Sequence, residues 1–325
     1  MVVAPRHGVV LAPRAGSTGR VGRVNATNFE PSTGGLLGRG PLGKLGELWR
    51  ARELLSQLVA KELKVRYKSS SLGFLWSMLT PALMTVVFTI VFTRVVPIRI
   101  PDFAAFFLAG YLLWQFLQNS CQGAIHSIVG NGDLVKKVYF PREVLPLSHV
   151  LAQLIHLLLA LLVVSPYLIV TRGVDVLLYL PVTLLTVALL TVFVAGVAMW
   201  FAGVNVVFRD LQELFVVIFL VWFYATPVLY PLALVRAQLG ADALLVRALA
   251  LNPMTWFVEA FRTPLYGAVR ETGAAADAGL ALVTSSGPAL PSATVLAVCL
   301  GWALLTFLGG YTVFLRRART FAKEV

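Results

Sequence analysis

Charged side chains are scarce in this chain, and their scarcity argues against a soluble protein. Asp, Glu, Lys and Arg make up 13% of its 325 residues, whereas soluble domains carry about 25%. Hydrophobic residues make up 58%, and several apolar runs exceed the roughly 20 residues that a helix needs to cross a bilayer. The composition predicts an all-α polytopic membrane protein with one membrane domain.

Cysteines and catalytic motifs are also scarce. The two cysteines, Cys121 and Cys299, lie far apart in separate apolar runs, so the sequence offers neither a disulfide framework nor the spacing of a metal site. No H-E-x-x-H, G-x-S-x-G or D-x-D motif occurs. The stretch "GRGPLGK" has the spacing of a phosphate loop, but Leu45 follows where Ser or Thr is required to bind Mg²⁺. We therefore expect no catalytic residue, metal or cofactor in this chain.

Apolar runs are abundant, and six of them predict six transmembrane spans. The first run contains Pro81, where a kink is expected. The segment over residues 232–290 is apolar in parts but is interrupted by charges. Short re-entrant helices broken at Asn252 and Pro253 fit this pattern, and a seventh and an eighth span are the alternative. The predicted spans are residues 72–96, 103–129, 145–170, 176–204, 212–231 and 292–315.

The basic residues are distributed unevenly between the two predicted sides of the membrane. Six spans place both termini on one side, and that side carries twenty Lys and Arg residues against seven on the other. The positive-inside rule then predicts that both termini lie in the cytoplasm. The net charge of +12 is explained in the same way, so we expect no nucleic-acid partner.

The N-terminal part of the chain divides into two segments. Residues 1–43, rich in Gly, Pro, Arg and Ser, predict a disordered cytoplasmic tail. Residues 44–71 predict an amphipathic helix at the membrane interface, in which apolar residues alternate at helical spacing with Lys61 and Lys64 on the opposite face. An ordinary packed helix is the alternative. A transmembrane domain over residues 72–318 and a cytoplasmic tail over residues 319–325 complete the chain. The apolar stripe consists of Ala51, Leu54, Leu55, Leu58, Val59 and Leu63.

Polar and aromatic side chains form faces on the predicted spans. They suggest the lining of a transport path, because polar groups in a membrane are costly unless they face water or a partner. The alternative for the polar residues is hydrogen bonding between helices, and the alternative for the aromatic residues is the membrane interface. The candidate path residues are Gln115, Asn119, Gln122 and His126 in the second span, His149, Gln153 and His156 in the third, and Trp222, Tyr224 and Tyr230 near the end of the fifth.

Several motifs resemble, in order, the membrane subunit of bacterial ABC exporters for cell-surface polysaccharides. The resemblance covers residues 45–320. It implies a homodimeric permease of the bacterial inner membrane with two copies of a separate ATPase, which binds the ATP and Mg²⁺. The cargo in that family is lipid-linked O-antigen, teichoic acid or galactan, so a polyprenyl-diphosphate-linked polysaccharide is implied. The motifs are "KELKVRYKSSSLGFLWSMLTPAL", "LVKKVYFPREVLPL", "NVVFRDLQEL", "ATPVLYP" and "LNPMTWFVEAFR".

The same resemblance assigns a coupling helix to the loop between the second and third spans. The helix would run from Asp133 to Tyr139 and be closed by Phe140 and Pro141. Basic side chains suit the rim of an ATPase cleft, and apolar ones suit its anchors. A loop that only sets topology is the alternative. The basic candidates are Lys136, Lys137 and Arg142, and the remaining ones are Leu134, Val135, Val138, Tyr139 and Phe140.

External gate helices are implied for the segment before the last span. There Glu259 and Arg262 have the spacing of an ion pair on one helix. Two other functions remain open: an ABC exporter permease for a drug or a lipid, and a membrane-embedded glycosyltransferase. The residues that the resemblance assigns to the gate are Asn252, Pro253, Trp256, Glu259 and Arg262.

Overall fold

The structure, a computed structural model, describes most of the chain from residue 46 onward. The predicted disordered tail over residues 1–43 and Tyr139 of the predicted coupling helix lie outside the described residues. So does the predicted C-terminal tail, apart from Phe321. The described residues are 46–47, 49–67, 75–95, 100–138, 140–240, 242–272, 282–318 and 321.

The described chain is helical apart from one short hairpin. A π-helical segment, Val91–Val95, extends the second helix, and 3₁₀ segments precede the fourth and sixth helices at Val129–Asn131 and Val174–Tyr179. The helices are α1 (Arg52–Tyr67), α2 (Leu75–Ile90), α3 (Phe103–Ser127), α4 (Gly132–Lys137), α5 (Val144–Arg172), α6 (Leu180–Asn205), α7 (Leu211–Tyr224), α8 (Leu232–Leu239), α9 (Leu244–Leu251), α10 (Pro253–Leu265) and α11 (Ala293–Ala318).

Three described helical segments are long and apolar enough to cross a membrane. They are Val144–Arg172, Val174–Asn205 and Ala293–Ala318, and the pair α9 and α10, bent by 77°, makes a fourth if it is one span. Each of the six predicted spans contains a helix. However, α2 and α7 are short, and α3 is rich in Gln and Asn towards its end. The count of six spans therefore stays a prediction.

A β-hairpin separates α10 from α11, and the sequence patterns did not predict it. Strand β1 (Val269–Thr272) pairs with β2 (Leu282–Ser285) in antiparallel register, with Val269 opposite Ser285. Both strands contain Val and Thr, whose branched Cβ atoms favour extended backbone. An all-α description therefore applies to the long apolar helices but not to this connection.

Helices α3 and α5 are antiparallel neighbours, joined at one end by α4 and at the other by a polar cluster around Asp102. Asp102 caps α3, and its carboxylate accepts hydrogen bonds from the Tyr167 hydroxyl at 2.7 Å and from Arg172 Nη2 at 3.2 Å. The Arg172 guanidinium lies 4.1 Å from the ring centre of Tyr266, whose hydroxyl donates to the Pro101 carbonyl. This cluster ties the start of α3 to the ends of α5 and α10.

Helices α6 and α11 cross with their backbones in contact. A Cβ atom added to Gly310 would overlap the Gly196 carbonyl, and one added to Gly196 would overlap the backbone of Thr306. Further along, a Cβ at Gly203 would lie 3.2 Å from Phe314 Cα. Small residues allow such crossings, which dispersion forces stabilise in a membrane where the hydrophobic effect does not act between helices.

Helix α1 packs its apolar stripe on α5. Ala51, Leu58 and Val59 are buried, whereas Lys61 and Lys64 on the opposite face are exposed. The apolar stripe is therefore covered by α5, and the position of this helix at the membrane interface stays a prediction.

Replacing Gly310 by Leu should destabilise the protein strongly, because the new side chain would have to occupy the space of the α6 backbone. We expect a loss on the order of 3 kcal/mol, measured as unfolding in detergent. Gly309→Leu is the matched control, since a Cβ at Gly309 meets nothing within 4 Å. Equal stability of the two variants would contradict the described crossing.

Replacing Asp102 by Ala should loosen the junction of α3 and α5, because it removes the cap and the ionic partner of Arg172. We expect a loss of about 1–2 kcal/mol for the missing cap and charged hydrogen bonds, visible as a lower unfolding temperature. The exposed Asp175 provides the comparison, since Asp175→Ala should leave the unfolding temperature within error. A fall of the same size in both variants would argue against the polar cluster.

Candidate functional site

The predicted coupling loop contains a short helix, α4, that is anchored at its centre and charged on its outer face. Val135 is buried, whereas Lys136, Lys137 and Val138 are exposed. Lys137 Nζ lies 3.6 Å from a carboxylate oxygen of Asp133, at an exposed position where such a pair contributes little stability. The helix therefore presents an exposed basic surface with one apolar residue beside it.

The chain that follows α4 is fastened to the end of α11. Phe140 is only 8% exposed, and Arg142 Nη1 donates to the Ala318 carbonyl. The Arg142 guanidinium also lies 5.9 Å from the ring centre of Phe321. Phe140 and Arg142 thus make contacts within the chain. The part of the described loop that is open to a partner consists of Asp133 and Lys136 to Val138, with Leu134 and Pro141 half-buried. The coupling role itself stays a prediction.

Helix α1 contacts both sides of this loop through two adjacent residues. Lys61 Nζ donates to Asn131 Oδ1 at 3.5 Å, just before α4. Glu62 Oε2 lies 3.5 Å from His149 Nδ1, near the start of α5. Sequence reasoning missed this connection, although the adjacent charges of Lys61 and Glu62 beside the apolar stripe were a signal.

The predicted polar path residues differ in burial, and they fall into exposed, half-buried and buried groups. Gln122 and His126, one helical turn apart on α3, are exposed. On α5, His156 is buried, and His149 is paired with Glu62 across the contact with α1. The accessible polar surface is therefore on α3, and whether it lines a path stays a prediction. The half-buried members are Gln115, Asn119, His149 and Gln153.

The predicted aromatic residue Trp222 belongs to a cluster that joins α7 to α3. Its ring lies edge-on to Trp114 with the ring centres 5.8 Å apart, and Trp114 lies 5.4 Å from Phe223. Phe219 packs against both tryptophans. Offset and edge-on aromatic pairs of this kind add stability beyond their buried area, so α7 is attached to α3 largely by aromatic contacts.

A pocket of about 610 Å³ brings together residues from both predicted groups, the path and the gate. Trp222, Tyr224 and Tyr230 come from the predicted path, and Asn252 and Pro253 come from the predicted gate. The pocket lies where the end of α7 meets α8 and α9, and its volume is in the usual range of about 300–1,000 Å³ for small-molecule sites.

Asn252 organises the bend between α9 and α10. Its Oδ1 accepts from Trp222 Nε1 at 2.9 Å and from the Met254 amide at 3.0 Å, which caps α10. Its Nδ2 donates to the Ala225 carbonyl and to Thr226 Oγ1, both at 2.9 Å. Asn252 therefore satisfies one amide that the break frees, that of Met254, and it holds α10 against the end of α7. Trp256 adds a bond from Nε1 to the Ala250 carbonyl at 2.7 Å.

Arg262 is a buried cation that binds backbone carbonyls. Its Nη2 donates to the carbonyls of Pro227 at 3.1 Å and Val228 at 3.2 Å, and its guanidinium lies 3.7 Å from the ring centre of Phe106. Gly110 provides the space, since a Cβ there would lie 2.7 Å from Nη2. The ion pair with Glu259 suggested by the spacing is not among the ion pairs of the described residues. The carbonyls and the aromatic face stabilise the charge instead.

Comparison with known proteins identifies the family. The family model described as "ABC-2 type transporter" matches residues 53–266. The O-antigen export system permease protein RfbA of Myxococcus xanthus is 35% identical over 227 residues, which cover 68% of this chain and 83% of that protein. A protein of the same name from Klebsiella pneumoniae is 34% identical over 55% of this chain and 69% of its own length.

A more distant relative is the capsule polysaccharide export inner-membrane protein CtrC of Neisseria meningitidis serogroup B. It is 29% identical over 32% of this chain and 38% of its own length. The family match contains nearly all of α1, the loop with α4, α7 and the bent pair of α9 and α10. It therefore covers the candidate site residues, apart from Ala318 and Phe321 at the end of the chain, which contact Arg142. Because this match covers well over half of its residues, the chain belongs to the ABC-2 type transporter family, as a multi-pass membrane subunit.

Proposed function

We propose that the chain is the permease of an ATP-driven exporter that moves a polyprenyl-diphosphate-linked polysaccharide from the cytoplasm to the outer face of the bacterial inner membrane. The observation that carries the proposal is the family match together with relatives whose names specify O-antigen and capsule polysaccharide export. ATP is hydrolysed by a separate chain, as is general for permeases of this family, so this chain supplies the path and the mechanical connection.

The charge distribution supports a cytoplasmic position for α4 and for both termini. Twenty of the 27 Lys and Arg residues fall on the predicted side that contains them, in agreement with the positive-inside rule. At that side the exposed Lys136, Lys137 and Val138 form the surface to which the ATPase binds. Opposite charge on the ATPase would accelerate association and fix its orientation.

Anchoring of α4 within the chain supports its role in transmitting movement. Val135 and Phe140 bury apolar side chains on either side of the exposed surface, and Arg142 binds the end of α11. A displacement of α4 by the ATPase is therefore transmitted to the start of α5 and to α11, because the buried Phe140 and the bond of Arg142 attach the intervening chain to the rest of the protein. Lys61 and Glu62 extend the same connection to α1.

Two copies of the chain enclose the path in our proposal. Helix α7 has 14 residues, or about 21 Å at 1.5 Å per residue, which is less than the roughly 30 Å of the hydrocarbon core. Its side chains Val216, Val217 and Leu220 are exposed. A short helix with an apolar outer face suits an interface between subunits, where the exposed Gln122 and His126 of each α3 would meet water and glycan.

Reversing the charge of α4 should weaken binding of the ATPase. We expect the double variant Lys136→Glu and Lys137→Glu to lower the affinity at least tenfold, which corresponds to about 1.4 kcal/mol, because both side chains are exposed and basic. Co-purification of the two proteins and ATP turnover in nanodiscs measure the effect, and low salt should enlarge it.

The control for this experiment is Lys64→Glu, which changes the charge of an exposed lysine on α1 and should leave the complex intact. If the α4 variant binds and stimulates the ATPase as the parent protein does, the coupling role of α4 is disproved. Accumulation of a lipid-linked glycan inside depleted cells tests the cargo separately.

A further inference from the structure

The walls of the pocket beside α7 are mainly hydrocarbon. Leu234 of α8 and Leu245 and Ala248 of α9 face it together with Trp222, Tyr224 and Tyr230. Sugar-binding sites combine aromatic faces with several hydrogen-bonding groups, because a buried hydroxyl without a partner is costly. The aliphatic walls therefore raise the question of whether the aromatic residues here stack on sugar at all.

The polar atoms of the pocket are already engaged within the chain. Trp222 Nε1 donates to Asn252, and the Tyr230 hydroxyl donates to the Tyr224 carbonyl at 2.9 Å. Asn252 uses its amide nitrogen twice and its oxygen twice. Among the described residues that line the pocket, only Tyr224 and Gln238, both exposed, have side-chain polar atoms without such a bond. A sugar ring would find too few partners there.

The mouth of the pocket is continuous with an exposed apolar surface. Leu245 both lines the pocket and is 53% exposed, and Leu244 and Leu251 of the same helix are exposed as well. On a multi-pass membrane protein, exposed apolar side chains of this kind meet the acyl chains of the bilayer. A hydrocarbon chain can therefore enter the pocket from the bilayer past Leu245.

We infer that this pocket binds a single acyl chain of a bilayer phospholipid, with the aromatic faces and the leucines as its walls. The inference depends on the chain being a membrane protein and does not depend on the cargo. The bound acyl chain fills the space between the end of α7 and the pair α8 and α9. Asn252 lies at the wall of this space and holds the end of α7 against the bend between α9 and α10. The site would thus make the packing of these helices sensitive to the surrounding lipid.

Photolabelling tests the site on the full chain. The protein is purified in detergent, supplied with a few molecules per chain of phosphatidylglycerol that carries a diazirine on one acyl chain, and irradiated. Detergent displaces the labelled lipid from the open apolar surface of the protein, whereas lipid that is bound in a pocket stays in place. We expect about ten times as many adducts in α8 and α9 as at the exposed Leu162 of α5, which corresponds to a tenfold higher affinity of the lipid for the pocket.

Filling the pocket should abolish this preference. Ala248→Trp places a ring in the cavity and should reduce the α8 and α9 adducts to the level at Leu162, and Ala225→Phe fills it from the opposite wall if the first variant does not fold. Ala188→Trp introduces the same ring at an exposed position of α6 and should change nothing. Unfolding temperatures establish that each variant is folded.

Each outcome of these experiments either supports or overturns the inference. Competition by unlabelled polyprenyl phosphate supports a hydrocarbon site that also accepts an isoprenoid chain. Uniform labelling of all exposed apolar faces, or labelling that the filled variants retain, overturns the inference. Protection by a short oligosaccharide, or adducts between two copies of the chain at α9, would assign the pocket to sugar or to a second copy. None of these results changes the α4 experiment, so the two proposals fail separately.

Discussion

Every peptide group inside a membrane must find its hydrogen-bond partner within the protein, because the hydrocarbon offers none. Long helices meet this requirement unaided, and the described chain departs from them at a few places only. At two of these, the turn after α7 and the end of α3, side chains from elsewhere bind backbone carbonyls. Asn252 binds the Ala225 carbonyl, and Arg262 binds those of Pro227 and Val228. Asn205 donates to the Ile125 carbonyl at 2.9 Å near the end of α3.

These polar contacts also determine which parts of the structure move together. Arg262 and Asn252 bind the same turn after α7 from two points of α10, so α7 and α10 form one unit at that end. At the other end, Arg142 joins the loop after α4 to the end of α11, and α11 packs closely on α6 at their glycine crossing. The described structure thus has two tightly connected ends, one at α7 and α10 and the other at the loop after α4 and α11, with apolar helices between them. Movement at one end of a permease can be transmitted to the other through such an arrangement.

The sequence was sufficient to predict the helices and their order, because apolar length and helical periodicity are local properties. The amphipathic α1 and the break at Asn252 were predicted from such local patterns, whereas the helix after Gly132 was implied by the resemblance to a family. The partners of the polar residues were not. Arg142 and Ala318 are 176 residues apart, and Tyr266 and Pro101 are 165 apart, and no local pattern encodes such pairs. The spacing of Glu259 and Arg262 suggested an ion pair that is not among those of the described residues, because distant backbone carbonyls bind the Arg262 guanidinium in place of the nearby carboxylate. The pocket, likewise, required α7 and α9 to be placed side by side.

The bond from Arg142 to Ala318 ends on a main-chain oxygen rather than on a side chain. Any residue that keeps α11 helical to this point presents the same acceptor, so substitutions at position 318 leave the attachment of the loop unchanged. Only the arginine end is chemically specified. Position 318 is therefore free to vary in sequence while Arg142 is not, and a shift in the length of α11 by a single residue would move the acceptor away from Arg142.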